Sequence, residues 1–213
     1  MEKTEKKSFW NRINPFRKND KSKKKVYSNT QNTVQKIKKT LLRLLAEKEL
    51  SKISITDLVK VAGMYRATFY LHYRNIDGVV KDIENDVYAC YENLKEQMCD
   101  VDIYNNVGML FDMISENLIV DRQDFQIIIN ANAFSRLIIS LKDLLQQALI
   151  ENFDSYGHIG KSNNNYILNI SMFTGAMIFA FKDWVNDDSL DLEELKRLAR
   201  HMGKELFRQI PRN

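Results

Sequence analysis

An all-α fold is predicted by three features of the sequence. Only 2 prolines and 7 glycines punctuate 213 residues, whereas a β-sandwich or barrel needs turn residues about every 8–12 positions. Apolar residues recur at i, i+3 and i+4 through most of the chain, and no segment alternates in the way a half-buried strand does. An apolar content of 44% and a charged content of 28% suit a globular chain with a substantial core.

The elements follow from that periodicity in order. Residues 1–28 contain the charge run Lys18–Lys25, which cannot bury apolar area, and are expected to form a basic, unstructured tail. Phe9, Trp10, Ile13 and Phe16 interrupt it with a small apolar patch ending beside Pro15. From Asn29 a helix is marked by Val34, Ile37, Leu41, Leu44 and Leu45 and ends near Glu47. Ser54 then stands three residues before Asp57, the spacing of a capping box, and opens a short helix Ile55–Ala62 that Gly63 stops in a left-handed conformation. A third helix covers about Tyr65–His72. Asn75 or Asp77 caps a long fourth one reaching Met98, with Ile76, Val80, Ile83, Val87, Tyr91 and Leu94 on one face. Further helices are read over 103–118, 125–131, 134–153 and 166–185, the last apolar nearly all round. Asp191 and Glu194 have capping-box spacing before a final helix striped by Leu195, Leu198, Met202 and Leu206.

Charge is divided unevenly. Residues 1–80 hold 19 Lys and Arg against 7 Asp and Glu, and residues 81–213 hold 13 against 21, so a front end of +12 joins a body of −8. That asymmetry is the footprint of a polyanion binder with a separate second function. No run approaches the 18 or so apolar residues of a membrane span, and the N-terminus lacks the apolar core of a secretory signal. Cys90 and Cys99 fall on one helix roughly 13 Å apart, too far for a disulfide, which suits a reducing cytoplasm.

Helix, short helix, glycine turn and short helix is the helix-turn-helix order, whose second short helix enters the major groove. Gly63 supplies the positive φ of the turn. Leu58, Val61, Met64 and Phe69 are expected to pack the short helices on the first one, leaving Arg66, Ala67 and Tyr70 outward. Arginine pairs bidentately with guanine, and alanine permits close approach or touches a thymine methyl. Thr68, Tyr70, His72 and Arg74 carry donors suited to phosphate oxygens.

Ile55-Thr-Asp-Leu58 and the stretch Ala62-Gly-Met-Tyr-Arg-Ala-Thr-Phe-Tyr-Leu-His-Tyr-Arg-Asn75 resemble the N-terminal signature of the TetR family of bacterial regulators, over residues 30–88. The resemblance implies a helix-turn-helix DNA-binding domain over residues 29–77 and an antiparallel helical dimerisation and effector domain over 78–213. It implies DNA contacts from Ser54, Thr56, Tyr65, Arg66, Ala67, Thr68, Tyr70, His72 and Arg74. Tyr65 departs from the Ser or Asn that usually caps the reading helix there. Phe173-Thr-Gly-Ala-Met177 and Asp183-Trp-Val185 resemble a subgroup that includes regulators of dihydroxyacetone kinase operons. Met109, Met113, Phe125, Phe134, Phe173, Met177 and Phe181 are the expected lining of a pocket for a small apolar or amphipathic effector. Ser171, Gly175, Trp184, Leu195, Leu198 and Met202 are the expected homodimer interface. The implied function is a cytoplasmic transcriptional repressor binding a palindromic operator in double-stranded DNA. Activation, or control by a protein partner, is the alternative within that class.

Other classes find less support. His72, His158 and His201 show no metal-ligand spacing, and there is no phosphate-binding glycine loop or nucleophile elbow, so no enzyme, metal or cofactor is expected. His201 is expected in solvent. Asp187-Asp188 and Glu193-Glu194 are read as carboxylates at helix starts. The tail, with its aromatic patch, also fits a membrane-surface or partner-binding protein.

Overall fold

The computed structural model describes residues 24–118, 122–158 and 165–208, and for 24–29 and 115–118 only the backbone path. Nine α-helices and two 3-10 turns, without a strand, make up these described residues. The helices are α1 Lys24–Glu47, α2 Ile55–Ala62, α3 Arg66–Tyr70, α4 Ile76–Cys99, α5 Val107–Leu118, α6 Arg122–Asn130, α7 Ser135–Ser155, α8 Asn165–Asn186 and α9 Leu192–Arg208. The fold class is therefore all-α, as the periodicity predicts. Among the described residues no helix is long and apolar enough to cross a membrane. The aromatic patch Phe9–Phe16 lies outside the described residues. Helix α1 begins at Lys24, inside the segment expected to be unstructured. Lysine is a good helix former, so the charge run there does not oppose a helix.

Contacts divide the chain into two compact units. One holds the described residues up to Ala89 with Gln123–Ser135, and the other Cys90–Arg122 with those from Arg136 on. In the first unit α1 packs on α2, and α2 on α3. Ile37, Leu41, Leu42, Leu58, Phe69, Val79 and Ile83 are buried at its centre. Val61, expected in this core, is exposed, and Val59 and Ala62 are buried instead. A helix of eight residues turns only one stripe inward, and Leu58 and Ala62 already define it.

In the second unit α9 packs on α8 and α5. Its core is aromatic: the Phe207 ring lies 4.8 Å from Phe153 and 4.9 Å from Phe173, and Tyr104 is 5.5 Å from Phe153. Helix α9 turns Ala199, Gly203 and Phe207 inward, leaving Leu198 exposed and Leu195, Met202 and Leu206 half-buried. The leucine stripe thus lies beside the core face and not on it. The second capping box does not close. Asp191 accepts the Glu193 N–H at 3.1 Å, while the Glu194 carboxylate takes Arg197 at 2.6 Å. Asp187 and Asp188 also depart from expectation, because they follow the end of α8 and start no helix. The Arg122 guanidinium offsets them: it pairs with Asp188 at 2.7 Å, donates to the Trp184 and Asp187 carbonyls and lies 4.7 Å from the Trp184 ring centre. His201 is exposed, as expected.

Candidate nucleic-acid interface

The turn before α3 is built from local chemistry. Ser54 Oγ accepts the Asp57 N–H at 3.1 Å, and Asp57 Oδ2 accepts the Ser54 N–H at 3.1 Å, so the expected capping box is complete. Backbone and hydroxyl hydrogen bonds from Ser54, then one from Lys48, hold the Asp57 carboxyl below the ordinary aspartate value. The far end of α2 closes on Gly63 at φ 59° and ψ 49°. There the Gly63 N–H reaches the Lys60 carbonyl and the Met64 N–H the Val59 carbonyl, a Schellman stop.

Helix α3 has five residues and no side-chain cap, since Tyr65 makes no capping bond. A helix this short is not self-supporting, so tertiary anchors must hold it. Phe69 is fully buried, and Tyr73, also buried, lies 6.0 Å from its ring. With those two inward, Tyr65, Arg66, Ala67, Tyr70 and Arg74 are exposed, while Thr68 and His72 are half-buried. The Arg66 guanidinium donates to Thr56 Oγ1 at 2.6 Å, joining α3 to the exposed side of α2. Ser54 is exposed too, but its hydroxyl is engaged with Asp57 at 2.9 Å. All nine residues expected at DNA fall in the first compact unit. Leu71, just past the end of α3 and one turn after Ala67, is 81% exposed beside them.

The expected pocket set is divided. Phe125 and Phe134 belong to the first unit and Met109, Met113, Phe173, Met177 and Phe181 to the second. Within the second, Phe173 and Phe181 pack against Phe111 at 6.2 and 6.0 Å, and Met109 is 45% exposed. A cleft of about 910 Å³ opens in the first unit between the end of α1, the start of α4 and the Asn130–Ala133 turn, and none of the seven lines it. Of the expected interface residues, Trp184 is buried under Arg122 in its own chain. Ser171 and Gly175 are half-buried on α8, as are Leu195 and Met202 on α9, and Leu198 is exposed.

No family model matches the chain, and no curated protein matches it. Solved structures do. The repressor NalD of Pseudomonas aeruginosa, secondary repressor of the MexAB-OprM multidrug efflux pump, aligns at TM-score 0.63 and 18% identity over 87% of this chain and 99% of its own. The fatty acid degradation regulator FadR of Bacillus halodurans aligns at 0.61 and 17%, over 85% and 97%. A protein proposed as a TetR-family transcriptional regulator, from Syntrophomonas wolfei, aligns at 0.64 and 17%, also over 85% and 97%. A helical fold with a helix-turn-helix at its N-terminal end defines the class. The fold is that of the TetR-family regulators.

Proposed function

We propose that the protein is a sequence-specific, DNA-binding transcriptional regulator that acts as a homodimer on a palindromic operator. The observation that carries this is the reading helix. Arg66, Ala67 and Tyr70 are exposed together on α3, whose backbone is placed by the Gly63 turn and whose inner side is anchored by Phe69. Arg66 reads a base, Thr68, Tyr70, His72 and Arg74 hold phosphate, and Ser54, Thr56 and Tyr65 flank them. The +12 charge of residues 1–80 supports phosphate neutralisation.

Dimerisation is supported by a stripe on α8. Leu168, Met172 and Phe179 are exposed at four- and seven-residue spacing on the side opposite buried Phe173, Met177 and Phe181. Leu198 on α9 adds a further exposed apolar residue. Repression, the mode stated for NalD, is proposed here too, relieved by a small apolar or amphipathic effector. Such an effector acts through its differential affinity for two arrangements of the DNA-reading heads.

Selection from a random duplex pool tests the reading. The expected product is a two-fold symmetric sequence with half-site centres about 34–36 Å apart, or a multiple of that. Recovery of no preferred sequence, or of one without a dyad, overturns it.

A further inference from the structure

Lys38, midway along α1, has 3% of its side chain exposed. A buried ammonium is costly unless it is paired and hydrogen-bonded. Helix α4 supplies the partners: Lys38 Nζ lies 2.8 Å from the Asp82 carboxylate and 2.5 Å from that of Asp86, and donates to the Asp82 carbonyl at 3.4 Å. Asp82 Oδ2 also accepts the Tyr73 hydroxyl at 2.5 Å. Burial, followed by that bond and the charges of Asp82 and Asp86, pushes the Tyr73 phenol up, keeping it a donor. Burial likewise raises the Asp86 carboxyl, against the opposing pull of Lys38.

One line of polar contacts therefore runs from α1 through α4 to Tyr73, three residues beyond the end of α3. Its end matters most. Phe69 gives α3 an apolar anchor, which has no direction, and the Tyr73 hydroxyl gives a directed one. An apolar trio in place of the ions would bury as well, but would offer no acceptor to the Tyr73 hydroxyl.

Building on the DNA-binding reading, we infer that Lys38 is a positioning residue for DNA recognition. Through Asp82 and Tyr73 it sets the orientation of α3, while making no DNA contact itself.

The test uses the full chain with Tyr73→Phe, Lys38→Met and the double variant. Two quantities are read: amide exchange at Leu71, His72 and Tyr73, whose N–H groups bond to Ala67 and Phe69 carbonyls, and the ratio of affinity for the wild-type-selected sequence to that for random duplex. Tyr73→Phe keeps the ring and removes only the hydroxyl. It is expected to speed exchange at those amides about tenfold and leave α9 amides unchanged. The affinity ratio is expected to fall about five- to tenfold with random-duplex affinity unchanged. The double variant is expected to lose no more than Lys38→Met alone, since the two residues act in one line. Should Lys38→Met not fold, Asp86→Asn replaces it. Unchanged exchange at the three amides, or a rise shared equally by α9, overturns the inference. So does an unchanged affinity ratio in a chain whose wild type selects a sequence, and then the DNA-binding reading survives. A wild type that selects none overturns both.

Discussion

The Arg66 guanidinium donates a 2.6 Å hydrogen bond to Thr56 Oγ1, so the first residue of α3 is tethered to α2. Such a tether reduces the rotamer freedom an arginine loses on binding.

Arg66→Ala is therefore expected to cost about 1–3 kcal/mol at the selected operator and to relax preference at one position per half-site. Thr56→Val, which keeps Arg66 but frees it, is expected to weaken the operator less and to leave that preference in place. Fluorescence titration against operator and against single-position variants checks both. Equal weakening on random and selected DNA would assign Arg66 to phosphate.

The capping box makes α2 sensitive to acid. The Asp57 carboxyl is depressed in the folded chain by Ser54 and Lys48. A depressed carboxylate contributes stability that is whole above its unfolded value and disappears as pH falls through the folded one. Asp57→Asn is expected to flatten the stability profile below about pH 4 and to lower stability at neutral pH. Urea unfolding followed across that range measures it. A slope identical to the wild type would mean that another carboxylate carries the acid sensitivity.

In the second unit a single amide closes a loop. Asn152 is buried, donates to the Met98 and Val101 carbonyls at 2.8 and 2.9 Å and accepts the Ile103 N–H at 3.2 Å. Asn152→Ala leaves those backbone groups without this partner. It is expected to destabilise the chain by about 1–3 kcal/mol, the desolvation penalty of an unmet buried polar group. Thermal unfolding reads the change, and a loss under half a kcal/mol would show that water replaces the amide.

What was legible in the sequence was the local chemistry. Ser54 and Asp57 stand three residues apart, Gly63 follows the last helical residue of α2, and both features reappear as geometry. Lys38 was not legible. Read along α1 it is one more lysine, and its partners Asp82 and Asp86 lie 44 and 48 residues away, beyond any helical period. The surroundings of Trp184 were not legible for the same reason, because the guanidinium that covers it comes from Arg122, 62 residues earlier. The α9 stripe, expected at the homodimer interface, lies beside the buried face of its own chain, because Gly203 and Ala199 are small enough to let α9 approach closely and, with Phe207, form the side turned inward.

Two glycines in helices make opposite forecasts. A Cβ on Gly203 would stand 2.6 Å from Val107 Cγ1 and 3.0 Å from Phe173 Cε2, so Gly203→Ala overpacks the core at a cost of about 1–3 kcal/mol. A Cβ on Gly175 would meet nothing within 4 Å in its own chain. Gly175 shares a helical face with Leu168, Met172 and Phe179, the last 67% exposed. Gly175→Leu is thus expected to leave the subunit folded and to favour α8 by about 0.5–1 kcal/mol from helix propensity. In the proposed homodimer the same side chain would stand where the partner approaches. Sedimentation at micromolar concentration is then expected to show a wild-type dimer and a Gly175→Leu monomer with weakened operator binding. A variant that stays dimeric, with operator affinity intact, would move the interface off this face of α8.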